Sequence, residues 1–166
     1  HTDGAFDGAP DMDKALAGSQ TGIAWSNPLE SQHPGVEFRV DLADEPLKLL
    51  CSPIHIRKCI MNLLINARQA IRKDGNIRIT TGVDAHGRSV VIIFQDDGPG
   101  IPPANLDRIF DPFYTTKPVG KGTGLGMSVS YFIVTEDHGG EMAVRAADDG
   151  GTCFVIRLPK AGRSDL

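Results

Sequence analysis

The sequence is short of several things, and each shortage closes off a class of function. Cysteine is scarce: Cys51, Cys59 and Cys153 make an odd number, with no CxxC pair and no Cys/His cluster. That count argues against a disulfide framework or a thiolate zinc site and fits buried thiols in a reducing compartment. Basic residues are outnumbered, 17 Lys and Arg against 21 Asp and Glu, for a net charge of −4. A bulk nucleic-acid binder needs a basic face, so no nucleic-acid partner is expected. Long apolar runs are missing too. The longest is about five residues, where a membrane-spanning helix needs about 20. No signal-like stretch opens the chain, and neither internal repeats nor low-complexity tracts occur.

What is present suits one globular domain: 166 residues, 40% hydrophobic and 23% charged. "HTDGAFDGAPDMD" reads as a linker or cut end, and "KALAGSQTGIAW" as a short helix. Strands are expected over 36–44 and 47–51, joined by a turn at Asp44 to Pro46. The strongest helix runs over 53–73, with Ser52 to cap it and Pro53 in its first turn. A turn and strand follow in "DGNIRITTGVD", then a hairpin connection "AHGRS" and the strand "VVIIF". A long loop with one helical turn leads to a helix over "LGMSVSYFIVTEDH" and a last hairpin around Asp148 to Gly151. A doubly wound parallel sheet would need a helix between most strands. The pattern predicts instead an α+β fold, a two-layer α/β sandwich with one mixed sheet and helices on one face.

On the 53–73 helix, Ile56, Ile60, Leu63, Ala67 and Ile71 form a core stripe. Asn62 and Asn66, four apart, make a second stripe, with Gln69 beside them. Asn is a poor interior helix residue, because its amide competes for backbone hydrogen bonds. An amide oxygen is a hard, neutral ligand, suited to a Mg²⁺ ion that keeps waters and shares phosphates. On this stretch alone, a pair of exposed or locally bonded amides reads equally well.

Nineteen glycines are many, and they cluster. "GKGTGLGMS" has Gly at 120, 122, 124 and 126, directly before a helix, where bare backbone N–H groups and the helix end can hold an anion. It is not a Walker A loop, since Lys121 is followed by Gly122 and Thr115 stands where the first Gly is needed. Nor is it a Rossmann fingerprint, since Leu125 or Met127 falls at the third Gly. "FQDDGPGIPP" is denser in acids, Gly and Pro than a simple turn requires, which points to close approach of something to the backbone beside a carboxylate.

Four blocks stand in order: "NLLINARQAI", "DDGPGIP", "IFDPFYTTK" and "GKGTGLGMSVSYFI". They resemble the N, G1, F and G2 boxes of the catalytic ATP-binding domain of sensor histidine kinases, in the superfamily that includes DNA gyrase, Hsp90 and MutL. The closing "GGTCFVIRLP" is similar to that family's last strand, and the resemblance covers roughly residues 36 to 159. It implies the Bergerat ATP-binding fold, with 1–12 a linker, 13–160 the catalytic domain and 161–166 a tail.

The resemblance implies ATP and Mg²⁺ as cofactors. Asp96 would accept a hydrogen bond from the adenine amino group, Gly98, Gly100 and Ile101 would pack against the base, and the Thr152 hydroxyl would help to hold the carboxylate. Asn66 would be the Mg²⁺ ligand and Asn62 its partner near metal and phosphates. Phe110 and Phe113 would pack a lid, from about Thr115 to Thr123, against the body. Lys117 and Lys121 would neutralise phosphate charge, and Gly122, Thr123, Gly124, Leu125 and Gly126 would supply nucleotide-facing backbone. Resembling ATPases carry Glu where Asn62 sits, as general base for water. An amide cannot take that proton at neutral pH, so the γ-phosphoryl group would be kept for another acceptor. Two features depart from the pattern. Gln69 stands where many relatives have Lys, leaving Arg68 turned away from the Asn stripe, and "YFIVTEDHGG" is one residue longer.

None of the five histidines fits a phosphoacceptor on a dimerising helical hairpin: His1 is terminal, His33 precedes Pro34, His55 opens the amide helix, His86 lies in a turn and His138 precedes the Gly-Gly pair. The resemblance therefore implies a cytoplasmic catalytic fragment, monomeric by itself. Its partners would be the histidine-bearing dimerisation domain of its parent protein and a response regulator receiver domain. A serine kinase of the anti-sigma type and a non-catalytic nucleotide-sensing module are the competing readings.

Overall fold

A computed structural model of the chain describes residues 35–120 and 122–162. The expected linker, the short helix in "KALAGSQTGIAW", Lys121 and the end of the tail lie outside the described residues.

Five strands form one sheet: β1 (Val36–Asp41), β2 (Gly75–Val83), β3 (Ser89–Asp96), β4 (Glu141–Ala146) and β5 (Thr152–Pro159). Their order is β1-β2-β3-β5-β4. β1 runs parallel to β2 and the other pairs are antiparallel, so the sheet is mixed, as the alternation of hairpins and helices predicts. The helices are α1 (Pro53–Ala70), one turn α2 (Pro103–Leu106) and α3 (Gly126–Phe132), the last continued by a π turn (Ile133–Asp137). None of the described helices is long and apolar enough to cross a membrane.

The strand period of two explains why "SVVIIF" reads as unbroken hydrophobe. Val90, Ile92 and Phe94 face the helices, with Phe154, Ile156 and Leu158 of β5, and there they meet Cys59 and Leu63 of α1 and Ile133 and Val134. Val91 and Ile93 point the other way and pack with Cys153, Val155 and Ala147. β3 is therefore buried on both faces, and its far end is a rigid mount for whatever follows it.

Three expectations need correction. Residues 47–51 form no strand. Leu47 and Leu49 tuck against the main core and Leu50 donates one hydrogen bond to the Lys160 carbonyl (2.9 Å), but the segment enters no ladder. Its alternation reflects half-burial alone. The long helix stops at Ala70 rather than 73. Ile71 turns to extended backbone (φ −78°, ψ 114°), which lets it fill a small core with Val36, Ala67 and Ile77. The Arg68 guanidinium donates to the Ile71 carbonyl (3.1 Å), so it caps its own helix. Finally, the helix after the glycine loop is not α-helical to its end. The π turn at Ile133–Asp137 takes up one residue more than an α turn, and Gly140 then donates back to the Val134 carbonyl (2.8 Å).

His138 holds that corner. It is buried, its Nδ1 donates to the Ile133 carbonyl (2.7 Å), and its Nε2 accepts the Ser52 backbone N–H (3.0 Å). A carbonyl can only accept and a backbone N–H can only donate, so the ring carries its proton on Nδ1. One imidazole thus ties the start of α1 to the end of the π turn, and Ser52 itself makes no side-chain cap. His138→Ala leaves two backbone groups without their partner and is expected to destabilise the domain by about 1–3 kcal/mol. A urea midpoint unchanged from wild type would show that water replaces the ring at no cost.

Candidate nucleotide site

The site begins where β3 ends. Asp96 lies in the even-numbered series, so its side chain faces the helical layer, and it is buried. Its Oδ1 accepts the Gly98 N–H (3.0 Å), and the Thr152 backbone N–H also donates to the carboxylate. Burial pushes this carboxyl above its ordinary value of 3.8, with the Gly98 and Thr152 N–H groups pulling it back and the Asp97 charge adding to the rise. Asp97 turns the other way and takes the Asn76 backbone N–H (2.7 Å) and side-chain amide (2.8 Å). Of the two neighbouring acids, one serves the sheet and one serves the slot. Thr152 was expected to act through its hydroxyl; here its backbone acts, set opposite Asp96 by the β3–β5 register.

Glycine is required around this carboxylate. A Cβ on Gly98 would sit 2.9 Å from Asp96 Oδ1 and 3.5 Å from the Ala70 Cβ. Gly100 has φ +75°, and a Cβ there would press on the Gly150 carbonyl oxygen at 3.0 Å. Gly151, read from sequence as mere hairpin turn, is the tightest: any Cβ would overlap the Asp96 carbonyl. The Gly-Gly pair before Thr152 was its signal. Ile101 is half-buried against the main core just beyond.

The contact of Gly98 with Ala70 sets Asp96 at the C-terminal end of α1, and Asn66 lies one helical turn back. The two asparagines share a stripe but differ in their partners. Asn62 Nδ2 donates to the Gly126 carbonyl (3.1 Å) and to Ser130 Oγ (3.0 Å), so it ties α1 to the start of α3. Ser130 is fully buried and its hydroxyl donates to the same Gly126 carbonyl (2.9 Å). Asn66 Oδ1 accepts from the ammonium of Lys117 (3.2 Å), which also donates to Gln69 Oε1. Burial pulls the Lys117 pKa below its ordinary value.

The segment that carries Lys117 rises from a body contact and returns to one. Phe110 is half-buried and stacks on Tyr131 (4.7 Å between centroids, 34° tilt). Phe113 does not pack as expected. It is 74% exposed and its backbone has φ +65°, an arrangement that is costly for an aromatic residue. Gly124 (φ +66°) lies against it so closely that a Cβ would overlap the Phe113 carbonyl. Between them, Thr115 Oγ1 accepts the Lys117 N–H (3.1 Å), and Gly122 leaves room for the Lys117 stem and Thr115 hydroxyl, each 3.0 Å from where its Cβ would be. Thr123 Oγ1 accepts the Leu125 N–H (3.3 Å) as the chain enters α3 at Gly126.

The slot thus has an acceptor carboxylate at one end, glycine backbone along it, and at the other end an amide oxygen already holding a cation. The first can accept from a ligand amino group, the second lets a flat group lie close to backbone, and the third offers a neutral oxygen to a hard cation. The family model described as "Histidine kinase-, DNA gyrase B-, and HSP90-like ATPase" matches residues 51–162.

The chain belongs to that family.

Its relatives agree. Sporulation kinase E of Bacillus subtilis (strain 168) is 38% identical over 125 residues, which is 75% of this chain and 16% of that protein. The sensor histidine kinase ZraS of Salmonella typhimurium is 38% identical over 134 residues, 81% of this chain and 28% of that protein. This ATPase-family domain therefore spans less than a third of the length of either relative. Among solved structures, the catalytic domain of histidine kinase ThkA superposes with a TM-score of 0.68 at 32% identity, covering 76% of this chain and 81% of that one. ThkA in complex with the response regulator protein TrrA superposes at 0.64 with 28% identity, covering 76% and 34%. The mixed five-stranded sheet with its helices is the fold of those histidine kinase catalytic domains.

Asp96 gives the ATPase-family domain a measurable signature. Its pKa is raised in the fold, so the ionised form is penalised there. The contribution of this group to the stability of the nucleotide-free domain is fully present below 3.8 and is lost as pH rises through the raised value. Asp96→Asn is accordingly expected to keep or raise the melting temperature at pH 7, while ATP affinity falls about 10- to 100-fold through loss of one charge-assisted acceptor. In the wild type, ATP affinity falls as the carboxyl protonates, in a window that opens above pH 3.8. Titration of ATP by calorimetry at several pH values, with melts alongside, checks both; unchanged affinity in Asp96→Asn would show that this carboxylate takes no part in nucleotide binding.

Proposed function

We propose that this domain binds Mg-ATP and presents the γ-phosphoryl group to a histidine on a separate dimerisation domain, from which a response regulator receiver domain takes it on. The supporting observation is the state of Asn62. On α1, facing the lid end of the slot, stands an amide whose N–H₂ group is committed to Gly126 and Ser130. Such a group cannot accept a proton from water, so the site is built to hold ATP rather than to hydrolyse it. The relatives named as kinases, and the ThkA complex with a response regulator protein, support the reading as a histidine kinase domain with such a partner.

In this reading Asp96 accepts from the adenine amino group, which selects adenine over guanine, whose six-position is an acceptor. Gly98, Gly100 and Ile101 line the base, and the Thr152 backbone holds Asp96 in place. Asn66, with Asn62 behind it, faces the metal. Mg²⁺, which the Asn66 amide oxygen would help to hold, would supply charge to offset that of the phosphates. Lys117 and Lys121 add lid charge, Phe113 flanks the entrance, and the Gly122–Gly126 backbone faces the phosphates. The catalytic unit is residues 13–160, working as a monomer in the cytoplasm, where ATP is found.

The test supplies the domain with labelled ATP, Mg²⁺ and a helical hairpin bearing an acceptor histidine. Label is expected on the hairpin in an acid-labile, base-stable form, as a phosphoramidate requires. Asn66→Ala is expected to lower transfer at least 100-fold with the fold intact. An acid-stable ester on a serine substrate instead would point to a serine kinase, and binding without any transfer to a nucleotide sensor.

A further inference from the structure

Gln69 enters neither the core nor the sheet. It is exposed on α1, three residues after Asn66, and its Oε1 receives the ammonium of a residue 48 positions away. Residues three apart on a helix are neighbours, so Asn66 and Gln69 offer two oxygens on one side of α1. Lys117 reaches both. The segment that delivers it is closed at its base by two left-handed residues pressed together, Phe113 and Gly124, and its tip is fully exposed at Val119. The lid is therefore pinned at its ends by Phe113 and Gly124, and over the slot by Lys117.

We propose that Gln69 is a positioning residue that seats the lid lysine beside Asn66, making a one-cation latch over the phosphate end of the nucleotide-free slot. This rests on the nucleotide reading above and names how that site is kept ready. Both partners of Lys117 are neutral amide oxygens, so its charge is held without being cancelled. A carboxylate at position 69 would cancel it and leave little pull on a phosphate. Asn66 Oδ1 cannot serve an ammonium and a bare divalent cation at close range together, because the two positive charges repel. A metal ion taken up by Asn66 Oδ1 would therefore take the place of the ammonium on that oxygen. Gln69 keeps it tethered one turn of helix away, where it can swing onto a phosphate oxygen. Nucleotide without metal leaves Asn66 to the lysine, so there the latch and the phosphate contact act together.

The experiment follows amide hydrogen exchange over residues 115–123 in the nucleotide-free domain, and ATP affinity with and without Mg²⁺. Gln69→Leu is expected to speed lid exchange several-fold without changing the core strands, and to weaken metal-free ATP about tenfold. Gln69→Glu is expected to slow lid exchange yet also weaken ATP, because it pairs the lysine too firmly. Lys117→Met should match Gln69→Leu in lid exchange and weaken ATP at least as far, because the phosphate contact goes too, and the double variant should be no worse than Lys117→Met alone. Gln69 is exposed, so these variants should melt as wild type does; if one did not, Lys117→Met gives the same readouts from the lid side. Wild-type lid exchange in both Gln69→Leu and Lys117→Met, or additive losses in the double variant, would overturn the seat. Failure of the wild type to bind ATP would instead sink the nucleotide reading, and the exchange data would still decide whether the latch exists.

Discussion

A carboxyl group set where burial penalises its charge is the constraint on which the rest of the site depends. Asp96 stands, buried, at the end of a strand buried on both faces. Two backbone N–H groups hold it, from Gly98 and Thr152. The second of these exists only because β5 is registered against β3 with Thr152 opposite Asp96. That register brings Gly151 against the Asp96 carbonyl, where no side chain could stand. The glycines around this turn are therefore consequences of one decision, to bring backbone close to a buried charge. A buried carboxylate is a strong receptor for an amino group arriving with a ligand.

Helix packing carries the second half of the slot. Polar groups inside a helix–helix contact are costly unless each is satisfied. Asn62, Ser130 and the Gly126 carbonyl satisfy one another, so the join between α1 and α3 is specific rather than merely apolar. The same join fixes where the glycine-rich segment must enter α3. The glycine-rich segment is thereby tied to the helix that carries Asn66. His138 does equivalent work at the other end of these two elements, binding the first residue before α1 to the π turn after α3.

Much of this was legible in the sequence. The strand period, the stripe on α1 and the hairpin signals gave the mixed sheet with helices on one face. The density of acids and glycines at 96–100 marked a close backbone approach. What stayed hidden was long-range. The overlap that forces Gly151 is with a residue 55 positions earlier, and His138 acts on a group 86 positions away. The tether from Lys117 to Gln69 spans 48. Residues 47–51 look strand-like for a different reason: alternating half-burial of Leu47 and Leu49 against the core reproduces the pattern of a strand without any ladder pairing. Helix ends misled because Ile71 gains more from a core pocket than from one further helical bond. Phe113 misled because aromatic composition predicts burial, whereas here its backbone angle is what the loop uses.

The two asparagines show how one residue type can serve two ends. An amide has a donor side and an acceptor side, and a helix can turn them toward different neighbours. Asn62 spends its donor side on structure, fixing α3. Asn66 offers its acceptor side to a cation, at present a lysine from the lid. Replacing either with a carboxylate would change both balances. At 62 it would lose the donors that hold Gly126 and Ser130, and at 66 it would bind the lid lysine as a salt bridge rather than as a seat easily vacated. Neutral groups at this end of the slot leave positive charge uncommitted, and uncommitted positive charge is what a polyphosphate needs to meet. The absence of any Asp or Glu along α1 thus has an electrostatic reason at its C-terminal end.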